Sequence, residues 1–254
     1  MVERTFDPHA TVARGVELAR STYARLDANG DDGLGRAKIV VSGGNGSHFN
    51  RLTRTTLVGV GGPKATGPTG HLSVLETTVH ELTHKWMDSR AGGIGLIYGG
   101  SSGRLSEGLS QVMAGSALIL EGTPEEQAHG WRVLDPRTQT TPMKTLLRGK
   151  VDVPLSVTMD DVARTGFTFT DNGFVHVHSG VVQEGHRLIA RSIGAEPMAQ
   201  LTVDTARASL TPVTGMRGWA SATVAQAQRT FGTGSVQAAA VRDAWATVRL
   251  LLPG

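Results

Sequence analysis

The chain has 254 residues, of which 39% are hydrophobic, and its formal net charge is +3. This length allows one large domain or two lobes around a shared core, and the composition excludes a disordered or collagen-like chain. No apolar run is long enough to cross a bilayer, and the scattered arginines and few aromatic residues argue against nucleic-acid binding. Because the chain has no cysteine, disulfides, thiolate metal ligands and cysteine nucleophiles are excluded. We therefore expect neither a membrane nor a nucleic acid as a partner.

The N-terminal part of the chain combines helical and strand patterns. Apolar residues recur at helical spacing over 10–26, and short strand patterns follow at 38–42 and 55–60. The strongest helix pattern spans 72–87, with Ser73 as its expected N-cap. These patterns predict a short α+β lobe over residues 1–90 that ends in this helix.

Helical patterns dominate after residue 90. A glycine-rich connection leads to a largely apolar helix pattern at 105–120, whereas residues 123–142 have a polar and irregular pattern. Further helical patterns lie at 180–193, 222–230 and 236–252. We therefore predict an all-α lobe over 91–254 and an α+β fold class for the whole chain.

The loop after the first helix has some features of a calcium loop. It places oxygen-bearing side chains at Asp27, Asn29 and Asp31, which match the first ligand positions. However, Asp32 stands where a calcium loop needs glycine, and Lys38 stands where it needs a bidentate glutamate. A tight polar turn is therefore the favoured interpretation.

The strongest helix contains an HExxH motif. One helical turn separates His80 from His84, so both imidazoles face one side and can bind one metal, with Glu81 beside them to act on a metal-activated water. A catalytic zinc site needs a third protein ligand, and Glu107 on the next predicted helix is the candidate. The structural alternatives are a helix with two polar stripes and, for Glu107, a glutamate favoured by the helix dipole.

A further cluster lies at residues 170–180. His176 follows Asp171 by five residues at the start of a predicted helix, so the carboxylate can hold the imidazole and keep it cationic. A histidine of this kind is more often structural, but beside a metal site it is a candidate electrophile.

Taken in order, these segments resemble the thermolysin-like zinc metallopeptidases. The resemblance runs from about residue 7 to residue 248, and the ordered set of motifs is far more specific than HExxH alone. The matching segments are RLDANG at 25–30, VHELTH at 79–84, GLIY at 95–98, SEGLS at 106–110, DNGFVH at 171–176 followed by Ser179-Gly180, and SLTP at 209–212. The resemblance implies a two-lobe zincin fold with the active-site helix between the lobes.

The resemblance also implies a role for each matching residue. The zinc ligands would be His80, His84 and Glu107. Glu81 would be the general base for the metal-activated water. Tyr98 and His176 would donate hydrogen bonds to the developing oxyanion, and Asp171 would orient His176.

The implied substrate-binding residues lie in less closely matched segments. Arg148 has the spacing of the family arginine that holds a substrate carbonyl, and Arg132 is its alternative. Ser47 begins the segment that corresponds to the family's edge strand, where it replaces an asparagine. The implied substrate-binding set is Arg148, Ser47, His48, Phe49 and Asn172.

Three departures from the family pattern stand out. Gln111 replaces an aspartate that would hydrogen-bond to the first zinc histidine, so a neutral amide is expected behind His80. Leu118 replaces a calcium-bridging glutamate, so we expect the paired calcium site to be absent. The carboxylates that remain for a weaker calcium site are Glu76, Glu121, Glu125 and Glu126. The family's N-terminal β-rich portion and propeptide have no counterpart, so we expect a short form.

The first nine residues carry charges and have no apolar core, unlike a signal peptide, so we expect a cytoplasmic protein.

The implied activity is that of a zinc metalloendopeptidase acting on a peptide or peptide-like substrate. Two alternatives stay open: a repurposed metalloenzyme acting on a small amide or biosynthetic intermediate, and a non-catalytic binding protein on a peptidase fold. Gln111 and Ser47 favour the binding protein, whereas the retained base and oxyanion donors argue against it. The sequence gives no indication of the oligomeric state.

Overall fold

The computed structural model describes residues 7–61, 69–145, 149–165 and 171–251. The helices in these ranges are α1 (Pro8–Leu26), α2 (Gly70–Arg90), α3 (Gly100–Glu121), α4 (Pro124–Leu134), α5 (Met159–Thr165), α6 (Asp171–His178), α7 (Gly180–Ile193), α8 (Ala195–Ser209), α9 (Met216–Phe231) and α10 (Val236–Thr247). The strands are β1 (Lys38–Ser42), β2 (His48–Asn50), β3 (Thr55–Gly59), β4 (Thr140–Thr145) and β5 (Gly149–Pro154).

Helix α1 begins at a well-formed N-cap and packs against α2. The Asp7 carboxylate accepts hydrogen bonds from the backbone N–H groups of His9 and Ala10, which satisfies two of the free donors at the helix start. In the interface with α2, Tyr23 stacks on Trp86 with 4.8 Å between the ring centroids. Both rings are fully buried, and aromatic side chains of this kind are strong contributors to core packing.

The three N-terminal strands form one small mixed sheet in the order β1-β3-β2. Strand β1 pairs with β3 in parallel, and β2 pairs with β3 antiparallel, with Phe49 opposite Thr56. Strand β2 is therefore an edge strand.

The sheet is attached to the helices by a small apolar cluster of its own. This satellite cluster contains Val12 of α1, Val58 of β3 and Val74 of α2, with Ile39 and Val41 packed against it. Its three buried valines lie outside the main core, although Ile39 packs against both clusters, so the sheet buries less apolar surface than the helices do.

Helix α3 runs through the main core. Its residues from Gly103 to Leu118 are almost all buried, as expected for a helix that is apolar or small on every side. It approaches α7 closely at Gly108, where an added Cβ would lie only 2.6 Å from the Cβ of Val182. A glycine beside Glu107 therefore allows α7 to pack directly on the predicted ligand helix.

Several elements differ from the sequence-based predictions in their bounds; helix α9, for example, begins at Met216 rather than at 222. Helix α2 begins at Gly70, so Ser73 lies inside its first turn and is not the N-cap. The last helix ends at Thr247 rather than 252, with Val248 as its C-cap.

The prediction of an irregular stretch over 123–142 is wrong. Thr123 and Glu126 form a capping box, in which each side chain bonds the other's backbone N–H, and Pro124 opens helix α4. Helix α8 was also not predicted. The prediction of an all-α second lobe is likewise too strict, because β4 and β5 pair antiparallel within this mainly helical part.

None of the described helices is both long and apolar enough to cross a membrane.

The main core contains residues from both predicted lobes, including Leu82 of α2 and Leu109 of α3. The domain division at residue 90 stays a prediction.

Candidate active site

Helices α2 and α3 bring the three predicted metal ligands together. The Nε2 atoms of His80 and His84 lie 3.2 Å apart. The Glu107 carboxylate approaches them with one oxygen 3.2 Å from His80 Nε2 and the other 3.3 Å from His84 Nε2. Tetrahedral zinc with bonds of about 2.0–2.1 Å separates its ligand atoms by roughly 3.3–3.4 Å, so this spacing fits zinc closely.

The second nitrogen of each imidazole has its own partner. His84 Nδ1 lies 3.1 Å from Ser106 Oγ and 3.2 Å from Ser110 Oγ. His80 Nδ1 lies 2.9 Å from Gln111 Oε1, an acceptor, so His80 carries a proton on Nδ1. This tautomer leaves Nε2 of His80 available as a metal ligand.

The electrostatics of the site favour positive charge. Burial lowers the pKa of His80, but the hydrogen bond and charge of Glu107 and the charge of Glu81 outweigh it and raise this pKa to about 9. For Glu107, burial raises the pKa, and the two histidines outweigh it, so the pKa lies well below its usual value. Among the described residues, His80, His84 and Glu107 form the one group of three metal-ligating side chains whose donor atoms lie within 4.8 Å of one another.

The ligands lie in a cleft of about 440 Å³. Glu81 is 7% exposed and lines this cleft beside His80, where it can contact a water or a substrate. The described residues that line the cleft are Ser47, His48, Phe49, Asn50, Arg51, Leu52, His80, Glu81, His84, Tyr98, Glu107 and His176.

The predicted edge-strand segment forms one wall of the cleft. Ser47, His48 and Phe49 all line it, as do Arg51 and Leu52, which the sequence analysis did not single out. The Ser47 hydroxyl accepts a hydrogen bond from the Gly59 backbone N–H at 2.9 Å. This side chain therefore ties the strand segment to β3, which differs from the substrate contact that the resemblance implied.

Tyr98 and His176 lie together beside Glu107. Tyr98 Oη is 3.3 Å from His176 Nε2, which in turn is 3.5 Å from Glu107. Burial, followed by the charge of Glu107, raises the pKa of the Tyr98 phenol, so it stays protonated as a donor.

Asp171 holds His176 by two contacts. One carboxylate oxygen lies 2.5 Å from His176 Nδ1, and the other accepts the His176 backbone N–H at 3.0 Å. Burial lowers the pKa of His176, but Asp171 and Glu107 outweigh burial and raise it above the usual value. His176 therefore favours its cationic, donating form.

The backbone that carries these groups is left-handed over four consecutive residues. The φ angles are 52° at Asp171, 50° at Asn172, 90° at Gly173 and 58° at Phe174. Left-handed non-glycine residues cost about 1–2 kcal/mol each, so this turn is strained unless its surroundings hold it. Arg104 of α3 supplies such support, because its guanidinium donates to the Gly173 carbonyl at 2.8 and 3.2 Å.

The structure adds one residue to those predicted at this turn and places another, Asn172, away from the described cleft lining. Arg104 was not predicted, although it lies three residues before Glu107 in the same helix. Asn172 was predicted to bind substrate, but it is exposed and is not among the described residues that line the cleft. Because asparagine tolerates the left-handed conformation, its position is explained by the turn itself.

The predicted arginine for a substrate carbonyl, Arg148, lies outside the described residues. Its alternative, Arg132, is not among the described cleft-lining residues. Its guanidinium instead lies 3.2 Å from Nδ1 of His129 on α4.

The acidic residues suggested for a weaker calcium site have protein partners. Glu121 pairs with Arg25, Glu126 pairs with Arg14, and Glu125 lies 3.7 Å from His71. Glu76 contacts Gln111 and His129. Leu118, at the position of the calcium-bridging glutamate, is fully buried in the main core. A weaker calcium site at these residues stays a prediction.

The fold and the arrangement of these three side chains are typical of metallopeptidases whose metal ligands are two histidines and a glutamate. Residues 94–250, more than half of the chain, match the family described as thermolysin metallopeptidase, alpha-helical domain. The chain therefore belongs to the thermolysin metallopeptidase family, and the predicted family and fold are confirmed.

A solved structure supports the same fold. The precursor of protealysin, a metalloproteinase from Serratia proteamaculans, is similar with a TM-score of 0.74 and 20% sequence identity. The match covers 99% of this chain and 81% of that chain.

Proposed function

We propose that this metallopeptidase-family protein is a zinc-dependent endopeptidase. The observation that carries the proposal is the convergence of His80, His84 and Glu107 at 3.2–3.3 Å on the cleft that also contains Glu81. The donor set, its spacing and its preference for positive charge all fit zinc. Zinc held by these residues would supply a Lewis acid that polarises the scissile carbonyl and lowers the pKa of water.

Glu81 is proposed as the general base. Its carboxylate accepts a proton from the attacking water and passes that proton to the leaving amine. Its place next to His80 in sequence and its exposure to the cleft suit both steps.

Tyr98 and His176 are proposed to stabilise the developing oxyanion. Each can donate a hydrogen bond toward the cleft, and the donors act where negative charge appears in the transition state. Asp171 keeps His176 in place and supports its positive charge.

Strand β2 is proposed to hold the substrate in an extended conformation. It is an edge strand and it lines the cleft, so its backbone can pair with an added peptide strand. The apolar side chains of Phe49 and Leu52 lie on the same wall.

The proposal is tested by metal analysis and a peptide-library digest of the purified protein. We expect one zinc per chain and cleavage of internal peptide bonds, with activity lost to a chelator and restored by zinc. Less than about 0.2 zinc per chain, with no uptake on titration, would contradict the zinc site. Stoichiometric zinc without cleavage of any peptide would instead favour a small-amide enzyme or a binding protein.

A further inference from the structure

A chain of polar contacts extends from the back of the candidate zinc site to the protein surface. His80 Nδ1 donates to Gln111 Oε1 at 2.9 Å, and Gln111 Nε2 donates to Glu76 Oε1 at 2.5 Å. The other Glu76 oxygen accepts from His129 Nε2 at 3.0 Å, and His129 Nδ1 accepts from Arg132 at 3.2 Å. Every donor in this series therefore meets an acceptor.

The helices bring these side chains together through their spacing. Glu76 lies one turn before His80 on α2, and Gln111 lies one turn after Glu107 on α3. His129 reaches Glu76 from α4. Gln111 is 9% exposed, and the side chains of Glu76 and His129 are 24% and 12% exposed, so solvent competes only weakly for these contacts.

The Gln111 amide can face His80 in two orientations, with either its oxygen or its NH₂ group toward Nδ1. With its oxygen toward His80, Gln111 requires a proton on Nδ1 and leaves Nε2 free for a metal. With the amide turned by 180°, its NH₂ group would face Nδ1 and favour the opposite tautomer, in which Nε2 carries the proton. A glutamine alone does not distinguish strongly between these two orientations.

We propose that Glu76 is a positioning residue for the metal site, which acts by fixing the orientation of the Gln111 amide. A carboxylate accepts hydrogen bonds only, so the Gln111 NH₂ group must face Glu76 and the Gln111 oxygen must face His80. The negative charge of Glu76 also polarises the amide and makes its oxygen a better acceptor. Glu76 thus supplies the carboxylate that position 111 lacks, and the Gln111 side chain separates this carboxylate from His80.

The inference rests on the proposed zinc site, and its test measures zinc affinity rather than turnover. Glu76→Gln removes the charge and allows both amide orientations while it keeps the shape of the side chain. We expect zinc affinity, measured by competition with a graded series of chelators, to fall by about tenfold, the lower end of the range for such outer contacts. The matched control is Glu121→Gln, which removes a carboxylate of α3 that pairs with Arg25 of α1 and should leave zinc affinity within about twofold.

The decisive variant is the isosteric exchange Glu76→Gln with Gln111→Glu. The new carboxylate at 111 accepts directly from His80 and from the amide at 76, so the contacts are kept and the charge moves one side chain closer. We expect zinc affinity at least equal to wild type. A purely structural role for Glu76 predicts no such recovery.

Three outcomes separate the possibilities. Wild-type zinc affinity in Glu76→Gln would overturn the inference and leave the proposed function intact. An exchange variant that is folded by circular dichroism but binds zinc about tenfold more weakly than wild type would also overturn it, even if Glu76→Gln itself unfolds. Wild-type protein that takes up no zinc would overturn the proposed function and the inference together.

Discussion

The two regions that make up the candidate active site are built in opposite ways. Helices α2 and α3 present His80, His84 and Glu107 from regular, buried backbone, and a side chain fixes the outer nitrogen of each histidine. His176 instead follows a left-handed turn, and its side chain is 46% exposed. The ligand region is held by core packing, whereas the turn region is held by a few hydrogen bonds. The difference predicts that small changes disturb the turn region more easily than the ligand region.

The largest expected effect comes from Glu81, which belongs to the regular region. Glu81→Gln keeps the side-chain shape and should retain zinc and fold but lose turnover by about 10²–10⁴-fold, because the general base is removed. Peptide hydrolysis and zinc content are measured on the same sample. Glu125→Gln, a change of an exposed carboxylate on α4, is the control. More than about a tenth of the wild-type rate in Glu81→Gln would remove this residue from the role.

A smaller loss of turnover is expected when the hydrogen bonds that hold the left-handed turn are removed. Arg104→Ala removes both hydrogen bonds to the Gly173 carbonyl and should lower kcat by about tenfold or more through misplacement of His176, with zinc content unchanged. Arg191→Ala, at an exposed arginine on α7, serves as the control. If Arg104 acts through His176, its substitution adds no further loss in a His176→Ala background. Additive losses would show an independent role.

The backbone of the turn offers a third test. Gly173→Ala places a Cβ on a residue with φ of 90°, which should cost about 1–2 kcal/mol of unfolding free energy and lower turnover as well. Gly30→Ala is the control, because Gly30 has a similar φ of 70° with open space around it and is not among the described residues that line the cleft. It should cost similar stability without loss of turnover. Equal turnover in both variants would mean that the turn does not control His176.

The last prediction concerns His178 at the end of α6, and it affects stability in acid rather than turnover. Burial lowers the pKa of His178 to about 4, and both its nitrogens contact hydroxyl groups, of Ser156 and Thr165. Its pKa in the unfolded chain is about 6.5, so between these values the unfolded state binds more protons. The unfolding free energy should therefore fall as pH decreases from 6.5 toward 4, by about 2 kcal/mol at pH 4.5.

Urea unfolding at pH 7 and pH 4.5 measures this difference for wild type and for His178→Gln. The variant should show a smaller pH dependence than wild type. An unchanged pH dependence would mean that other groups account for the acid effect.

The same contrast explains how much could be predicted from sequence. His80, His84 and Glu107 follow from helical periodicity and motif, because a regular helix fixes which residues share a face. The capping box at Thr123 that begins helix α4 is likewise a pattern of neighbouring residues. These features are local, so a single sequence contains the information.

Other features depend on side chains that meet only in the folded chain. Gln111 and Glu76 lie 35 positions apart, and Arg104 lies 69 positions from Gly173. No periodicity relates such pairs, so their contacts depend on how the helices pack. Phe174 is a further case, because a bulky aromatic residue gives no indication of a left-handed backbone.

The satellite cluster that supports the N-terminal sheet has a consequence for the energetics of substrate binding. The described apolar cluster of valine and isoleucine side chains between this sheet and the helices is small, so local opening of the sheet should cost less than global unfolding. Its amide hydrogens should exchange faster than those of α2 and α3. A peptide that pairs with β2 can form its backbone hydrogen bonds only when the sheet is closed against the helices. Peptide binding would therefore stabilise the closed state of this cleft wall relative to the locally opened state. Part of the binding free energy of each substrate is then used to order the wall against which the substrate binds.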